Sequence, residues 1–188
     1  MTQSETGSSG RLQLLIMLVV AAVSLFGSYF LFLAVRGEGG LGTVNNGEFV
    51  SPPLTVAELP LVADRERPVD WSAHWWLITV AAEDCGQLCA DSVHLLRQMH
   101  ILLNKDADRV RRALLLNGDA PTGLRSDYPE LALGQLPGLE VADNDRLLTP
   151  GVYIVDPIGN FVFRYPLEVE GSAMLKDLKR LLKVSQIG

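Results

Sequence analysis

The chain has 188 residues, 48% of them hydrophobic, and a formal net charge of −6. This length accommodates one ordinary domain and an appendage. The acidic balance argues against a nucleic-acid-binding protein, whose binding surface needs clustered cations. One basic cluster interrupts an apolar segment and, with no interleaved aromatic residues for base stacking, is predicted to form a solvated strand face: Arg109, Arg111 and Arg112.

The first element in chain order is an uncharged apolar segment. It runs 24 residues, from Leu12 to Val35, and a helix of that length spans a bilayer core. A cleavable signal peptide would have a shorter apolar region, of roughly 7–15 residues. We therefore predict a cytoplasmic tail at residues 1–11 and an uncleaved transmembrane anchor at residues 12–35.

The segment after the anchor is rich in Gly, Asn and Pro, and its Asn46-Gly47 step is a turn signal. We predict a linker at residues 36–65, in which Glu48-Phe49-Val50 either adds a short strand or stays irregular. The folded domain is predicted to occupy residues 66–188.

The domain begins with an apolar run, Trp75 to Ala82, that is typical of a strand buried on both faces. A helix is predicted to follow it. Asp84 and Gln87 have the spacing of a capping box, which would make Asp84 the N-cap and Cys85 the first helical residue. The helix is expected to reach about Leu103, with an apolar stripe on one side: Leu88, Leu95, Leu96, Met99 and Leu103.

Cys85 and Cys89, the two cysteines of the chain, lie at the start of this helix. Residues four apart share a helix face, with Cβ atoms roughly 5–6 Å apart. The two thiols can therefore form a disulfide or bind one ion together. A structural disulfide would close so small a loop that it stabilises by only about 2 kcal/mol, and two buried unpaired thiols are a further alternative. Their position between a strand and a helix favours a functional pair.

Four more elements follow. Val110–Leu116 is predicted to be a second buried strand, parallel to the first because one helix connects them. A short helix is expected near Tyr128–Leu133. Gly151–Tyr165 contains two β-rich runs around Asp156-Pro157-Ile158-Gly159, which indicates a hairpin. Ser172–Val184 is predicted to be an amphipathic closing helix.

This order of elements resembles an α/β thioredoxin-like domain behind a single N-terminal transmembrane helix. In that fold a cis-proline commonly precedes the first hairpin strand and packs beside the cysteine pair. The resemblance therefore implies that the Thr149–Pro150 bond is cis and that Pro150 belongs to the site with Cys85 and Cys89. Alternatively, Pro150 simply begins a strand, where proline is tolerated.

Within that superfamily the chain resembles the membrane-anchored SCO/SenC proteins, which act in copper delivery and thiol redox during cytochrome c oxidase assembly. The resemblance rests on the anchor, on the three residues between Cys85 and Cys89, and on the Asp156-Pro157-x-Gly159 hairpin, and it covers roughly Trp71 to Val184. It implies copper binding at the cysteines. The prolines that flank the SCO cysteines are missing here.

The third copper ligand of SCO proteins is a histidine shortly before the hairpin, and this chain has no histidine after His100. His94 is about 140° round the helix from Cys89, and His100 is about 16 Å along its axis. His74 is about 20 Å away at the far end of the strand. We therefore expect no tight Cu(II) site, whereas the softer Cu(I) suits two thiolates.

The leading hypothesis is a single-pass inner-membrane protein that assists respiratory oxidase assembly, its thiols reducing a partner's copper-site disulfide or carrying Cu(I). Its partner would be an oxidase subunit or another copper or thiol assembly protein. Arg11 and Arg36 balance across the anchor, so we place the domain outside the cytoplasm because paired thiols suit an oxidising compartment. The alternatives are a general thiol-disulfide oxidoreductase, with Cys85 attacking and Cys89 resolving, and a tethered scaffold without thiol chemistry.

Overall fold

A computed structural model describes residues 7–37, 44–62, 67–81, 85–137 and 148–185. The chain separates into two compact units, Met1–Val44 and Asn45–Gly188. The first contains helix α1, Gly7–Gly37, and its stretch Gly10–Ala34 is long and apolar enough to cross a membrane. The predicted anchor, residues 12–35, coincides with this stretch almost completely.

The second unit is built on one mixed sheet. Its elements in chain order are β1 (Glu48–Phe49), β2 (Trp75–Ala81), α2 (Gln87–Leu102), β3 (Val110–Leu116), α3 (Leu124–Asp127), β4 (Leu131–Gln135), β5 (Gly151–Val155), β6 (Phe161–Tyr165) and α4 (Gly171–Val184). The strand order across the sheet is β1-β6-β5-β2-β3-β4. Strands β2, β3 and β4 are parallel, and β5 and β6 form an antiparallel hairpin beside β2. The predicted strand-helix-strand unit, hairpin and closing helix are confirmed.

Both faces of the sheet are covered, which explains why β2 is apolar at nearly every position. Its even-numbered side chains pack against the segment that precedes the strand, including Val56 and Leu59. Trp75 and Leu77 face the other way, toward the apolar sides of α2 and α4. All seven residues of β2 are buried.

The folded unit begins well before residue 66. The short strand β1 pairs antiparallel with β6, and Val56 and Leu59 are 7% and 9% exposed in the core. Much of the predicted linker, from Asn45 to Val62, therefore belongs to the domain. Because this segment is mostly polar and rich in glycine, its sequence did not indicate that a few of its side chains are buried in the core.

A buried carboxylate fixes the start of this segment. Asp177 of α4 is 1% exposed and accepts hydrogen bonds from the backbone N–H groups of Asn46 and Gly47, from the Asn46 side chain and from the Tyr165 hydroxyl. The four donors satisfy a buried charge that would otherwise be costly. We call this arrangement the Asp177 clamp.

Two local predictions are wrong. The segment expected to be a helix, Tyr128–Leu133, is not helical: residues 128–130 follow α3, and residues 131–133 begin the parallel strand β4. Pairing with β3 outweighs a weak local pattern. The basic cluster is not a uniformly solvated strand face. Arg112 is 5% exposed and pairs with Glu130, and Arg109 donates to the Leu182 and Ser185 carbonyls at the end of α4.

Candidate thiol-disulfide site

The cysteine pair lies at the carboxyl edge of the parallel strands. Strand β2 ends at Ala81, and α2 begins at Gln87. Cys85 therefore lies in the connection between them, at this edge of the sheet. Asp84, the predicted N-cap, lies outside the described residues. The N-cap is Gly86, whose extended backbone places Cys85 before the helix, contrary to the prediction. Glycine is among the residues favoured at this position.

Cys85 and Cys89 are joined in a disulfide, with Cα atoms 5.1 Å apart. Cys89 is 3% exposed, whereas Cys85 is partly exposed. The three residues between them, Gly86, Gln87 and Leu88, are all exposed. A partner can therefore approach the disulfide from the Cys85 side, while Cys89 lies behind it.

An apolar cluster forms the floor of the site. Cys89 packs with side chains from β2, α2, β3, α3 and β4, and Cys85 packs against the same cluster: Ala81, Val93, Leu114, Leu116, Leu124, Leu131 and Leu133. Leu88 is not part of the buried stripe predicted for α2, because it is 48% exposed. The buried stripe instead contains both Cys89 and Ser92, followed by Val93, Leu96 and Met99.

Two buried hydroxyl groups lie directly behind Cys89. Ser92 Oγ donates to the Cys89 carbonyl at 2.9 Å and lies 3.3 Å from Thr79 Oγ1. Because a serine has one hydroxyl proton, Thr79 must be the donor to Ser92. The sequence contained a signal for this pair, since Thr79 is the polar residue within an apolar strand and Ser92 follows Cys89 by one helical turn.

Pro150 lies at the same edge of the sheet. Val80 pairs with Gly151 at the end of the β2–β5 ladder, and Pro150 is the residue before Gly151. Among the described residues the cis peptide bond is Ser51–Pro52, so the prediction of a cis Thr149–Pro150 bond is wrong. The Thr149 carbonyl instead accepts a hydrogen bond from the Tyr153 hydroxyl at 2.7 Å. Pro150 is exposed, and its part in the chemistry stays a prediction.

The three histidines are engaged elsewhere. His100 Nε2 lies 3.0 and 3.1 Å from the Ala107 and Val110 carbonyls, at the far end of α2. His94 contacts Gln98 and Tyr128, and His74 lies 3.4 Å from the Ser72 carbonyl.

A copper site made of two thiolates and an imidazole does not fit these residues. In the described part of the chain no group of three or more His, Cys, Asp or Glu residues could hold a metal ion. Among the described residues, the donor set at the site is the two sulfur atoms of Cys85 and Cys89. Once reduced, they match the soft-ligand preference of Cu(I) and not that of Cu(II).

The family comparison agrees with this architecture. Residues 75–185, more than half of the chain, match the family described as transmembrane-like, thioredoxin-like, C-terminal domain. The chain belongs to this thioredoxin-like family. The match begins with β2 and ends one residue after α4, so it contains the disulfide and the hairpin but not β1. No curated protein matches the chain.

Several solved structures resemble the thioredoxin-like domain. One is copper-bound ScoI from Arabidopsis thaliana, with a TM-score of 0.49, 14% identity, and coverage of 72% of this chain and 99% of that one. Another is a SCO1/SenC family lipoprotein from Bacillus anthracis, with a TM-score of 0.48, 15% identity, and coverage of 71% and 99%. A third is an uncharacterized thioredoxin-like protein from Porphyromonas gingivalis, with a TM-score of 0.47, 18% identity, and coverage of 69% and 95%. At these identities the functions of the neighbours do not carry over to this chain.

Proposed function

We propose that this chain is a membrane-anchored thioredoxin-like factor that assists cytochrome c oxidase assembly by thiol-disulfide exchange at Cys85 and Cys89. The observation that carries the exchange chemistry is the unequal exposure of the bonded sulfurs. Cys85 is partly exposed before α2, and Cys89 is buried within it. An exchange reaction needs one accessible sulfur that meets the partner and one protected sulfur that completes the reaction.

The reaction has two steps. In the reduced protein the Cys85 thiolate attacks a partner disulfide, forming a Cys85-partner bond and releasing one partner thiolate. The Cys89 thiolate then attacks Cys85, closing the Cys85–Cys89 disulfide and releasing the second partner thiolate. Two electrons pass to the partner, which takes up two protons, and a dithiol reductant restores the reduced pair.

Each surrounding feature supports one part of this proposal. The apolar floor keeps Cys89 away from outside thiols. The exposed Gly86, Gln87 and Leu88 leave the approach to Cys85 open, and a side chain added at Gly86 would meet nothing within 4 Å. Pro150, immediately before β5, would lie beside the reacting bond. The oxidase assignment is supported by the sequence resemblance, through the cysteine spacing, the hairpin and the anchor.

Cu(I) is the second candidate for the same two sulfurs. The donor set favours it, because the reduced pair offers two soft ligands, and among the described residues no histidine joins the two cysteines in a group that could hold a metal ion. Copper would then be cargo that the pair carries to a partner. As for the exchange reaction, the proposed location is the inner membrane, with the domain outside the cytoplasm.

Trapping the partner tests this proposal. Cys89→Ser leaves Cys85 able to form the first bond but removes the sulfur that releases the partner, so a covalent complex should accumulate in membranes. The complex should contain an oxidase subunit or a copper or thiol assembly protein, and reduction should release it. Cys85→Ser is the matched control and should trap nothing. Capture of many unrelated extracytoplasmic proteins would instead indicate a general oxidoreductase, and no capture would favour a scaffold.

A further inference from the structure

The outer face of α4 is basic, although the chain is acidic. Three of the four lysines in the chain lie on this helix, together with Arg180: Lys176, Lys179 and Lys183. Successive helical residues advance by about 100°, so these four cations occupy an arc of roughly 100°. Their side chains are all exposed. We call this surface the α4 basic face.

The one acidic residue of α4 does not neutralise this face. Asp177 is 1% exposed, and the Asp177 clamp uses its carboxylate to hold Asn46, Gly47 and Tyr165. Within the described residues, none of the three lysines forms an ion pair. The positive charge of these three lysines is therefore available to an outside partner.

The same clamp joins the basic face to the chain that leaves the candidate membrane helix. Asn46 follows Gly37, the last residue of α1, by nine residues. An extended chain covers at most about 3.6 Å per residue, or roughly 32 Å over this distance. Asn46 also donates to the Ala173 carbonyl of α4. A bilayer that holds α1 is consequently within reach of α4.

We propose that the α4 basic face docks on anionic lipid headgroups of the bilayer that holds α1. Clustered lysine and arginine side chains close to a membrane span are attracted to a negative lipid surface. Val184, 75% exposed at the end of the helix, adds an apolar side chain at the margin of the face. This inference rests on membrane anchoring and is independent of the thiol chemistry.

Lysine reactivity in defined bilayers tests the docking. The full chain is placed in nanodiscs of phosphatidylcholine, with or without phosphatidylglycerol, and its amines are acetylated and quantified by mass spectrometry. Lys176, Lys179 and Lys183 should react severalfold more slowly in the anionic discs, and high salt should restore their reactivity because it screens exposed charges. Lys105, exposed on the turn after α2, is the internal reference and should react equally in both.

Charge reversal provides a second measurement. Lys179→Glu with Lys183→Glu should abolish the lipid-dependent protection of Lys176, whereas Lys105→Glu should leave it unchanged. These side chains are exposed, so the variants should keep the fold, and circular dichroism checks this. Equal reactivity of Lys176 in the two lipids would overturn the proposal. Protection that appears only after another membrane protein is added would also overturn it, in favour of an acidic protein partner.

Discussion

Thr79 and Ser92 place their hydroxyl oxygens 3.3 Å apart in a fully buried contact, and the Ser92 hydroxyl donates a hydrogen bond to the Cys89 carbonyl. The contact joins the middle of β2 to the first buried turn of α2. It therefore ties the helix that carries Cys89 to the strand that delivers Cys85.

The first prediction concerns this pair. Ser92→Ala should lower the free energy of unfolding by about 1–3 kcal/mol, because it leaves the buried Thr79 hydroxyl without its acceptor. Thr79→Val should also destabilise the domain. The double variant should lose less free energy of unfolding than the two single variants lose in sum, because neither hydroxyl is then left buried without its partner. Urea unfolding of the chain in detergent measures all three variants. Additive costs would show that the two hydroxyls do not interact.

The second prediction concerns alkaline pH. Burial and the neighbouring Asp177 carboxylate raise the pKa of Tyr165 above its ordinary value near 10. The folded state therefore keeps the Tyr165 proton at pH values where the unfolded state loses it. The contribution of the Tyr165 hydroxyl to the free energy of unfolding is fully present below pH 10. Above pH 10 this contribution falls by up to about 1.4 kcal/mol per pH unit.

Tyr165→Phe is the matched variant for this effect. It removes the titrating hydroxyl, so the fall in stability above pH 10 should be shallower than in the parent protein. At neutral pH the variant should lose about 1–2 kcal/mol, because Asp177 loses one of its donors. Chemical unfolding between pH 8 and pH 11 gives both values, and identical pH profiles would contradict the assignment.

The third prediction concerns copper. The reduced chain should bind one Cu(I), lose that binding in Cys85→Ser or Cys89→Ser, and show little affinity for Cu(II), because the site offers thiolates and no imidazole. Competition titration with a chelator for each oxidation state measures this. His100→Gln should leave Cu(I) binding unchanged, since its ring bonds the Ala107 and Val110 carbonyls. Tight Cu(II) binding would contradict the separation of the histidines from the site.

The sequence predicted the elements whose pattern is strong and local. The bounds of β3 agree, Val110–Leu116, because a run of apolar residues between turn signals has one plausible structure. The bounds of α4 agree within one residue, since its period is clear. Strand β4 was missed, because Leu131–Gln135 contains a glycine and depends on pairing with β3.

The candidate site was predictable in part. Two cysteines between a strand and a helix located it, but the sequence left open whether they form a disulfide or bind an ion together. The unequal burial of Cys85 and Cys89 depends on where α2 begins, and an N-cap at Gly86 in place of Asp84 changed that. The Asp177 clamp joins residues about 130 positions apart. A contact between residues so far apart in sequence cannot be predicted from a local sequence pattern.

The most direct test of the proposed exchange chemistry is which sulfur reacts first with an outside disulfide. The full chain, as Cys89→Ser or as Cys85→Ser, is mixed with oxidised glutathione, and the glutathione adduct is followed by mass spectrometry. Because Cys85 is partly exposed and Cys89 is 3% exposed, the Cys85 adduct in Cys89→Ser should form at least about tenfold faster. Equal rates, or a faster adduct at Cys89, would contradict the assignment of Cys85 as the attacking thiol.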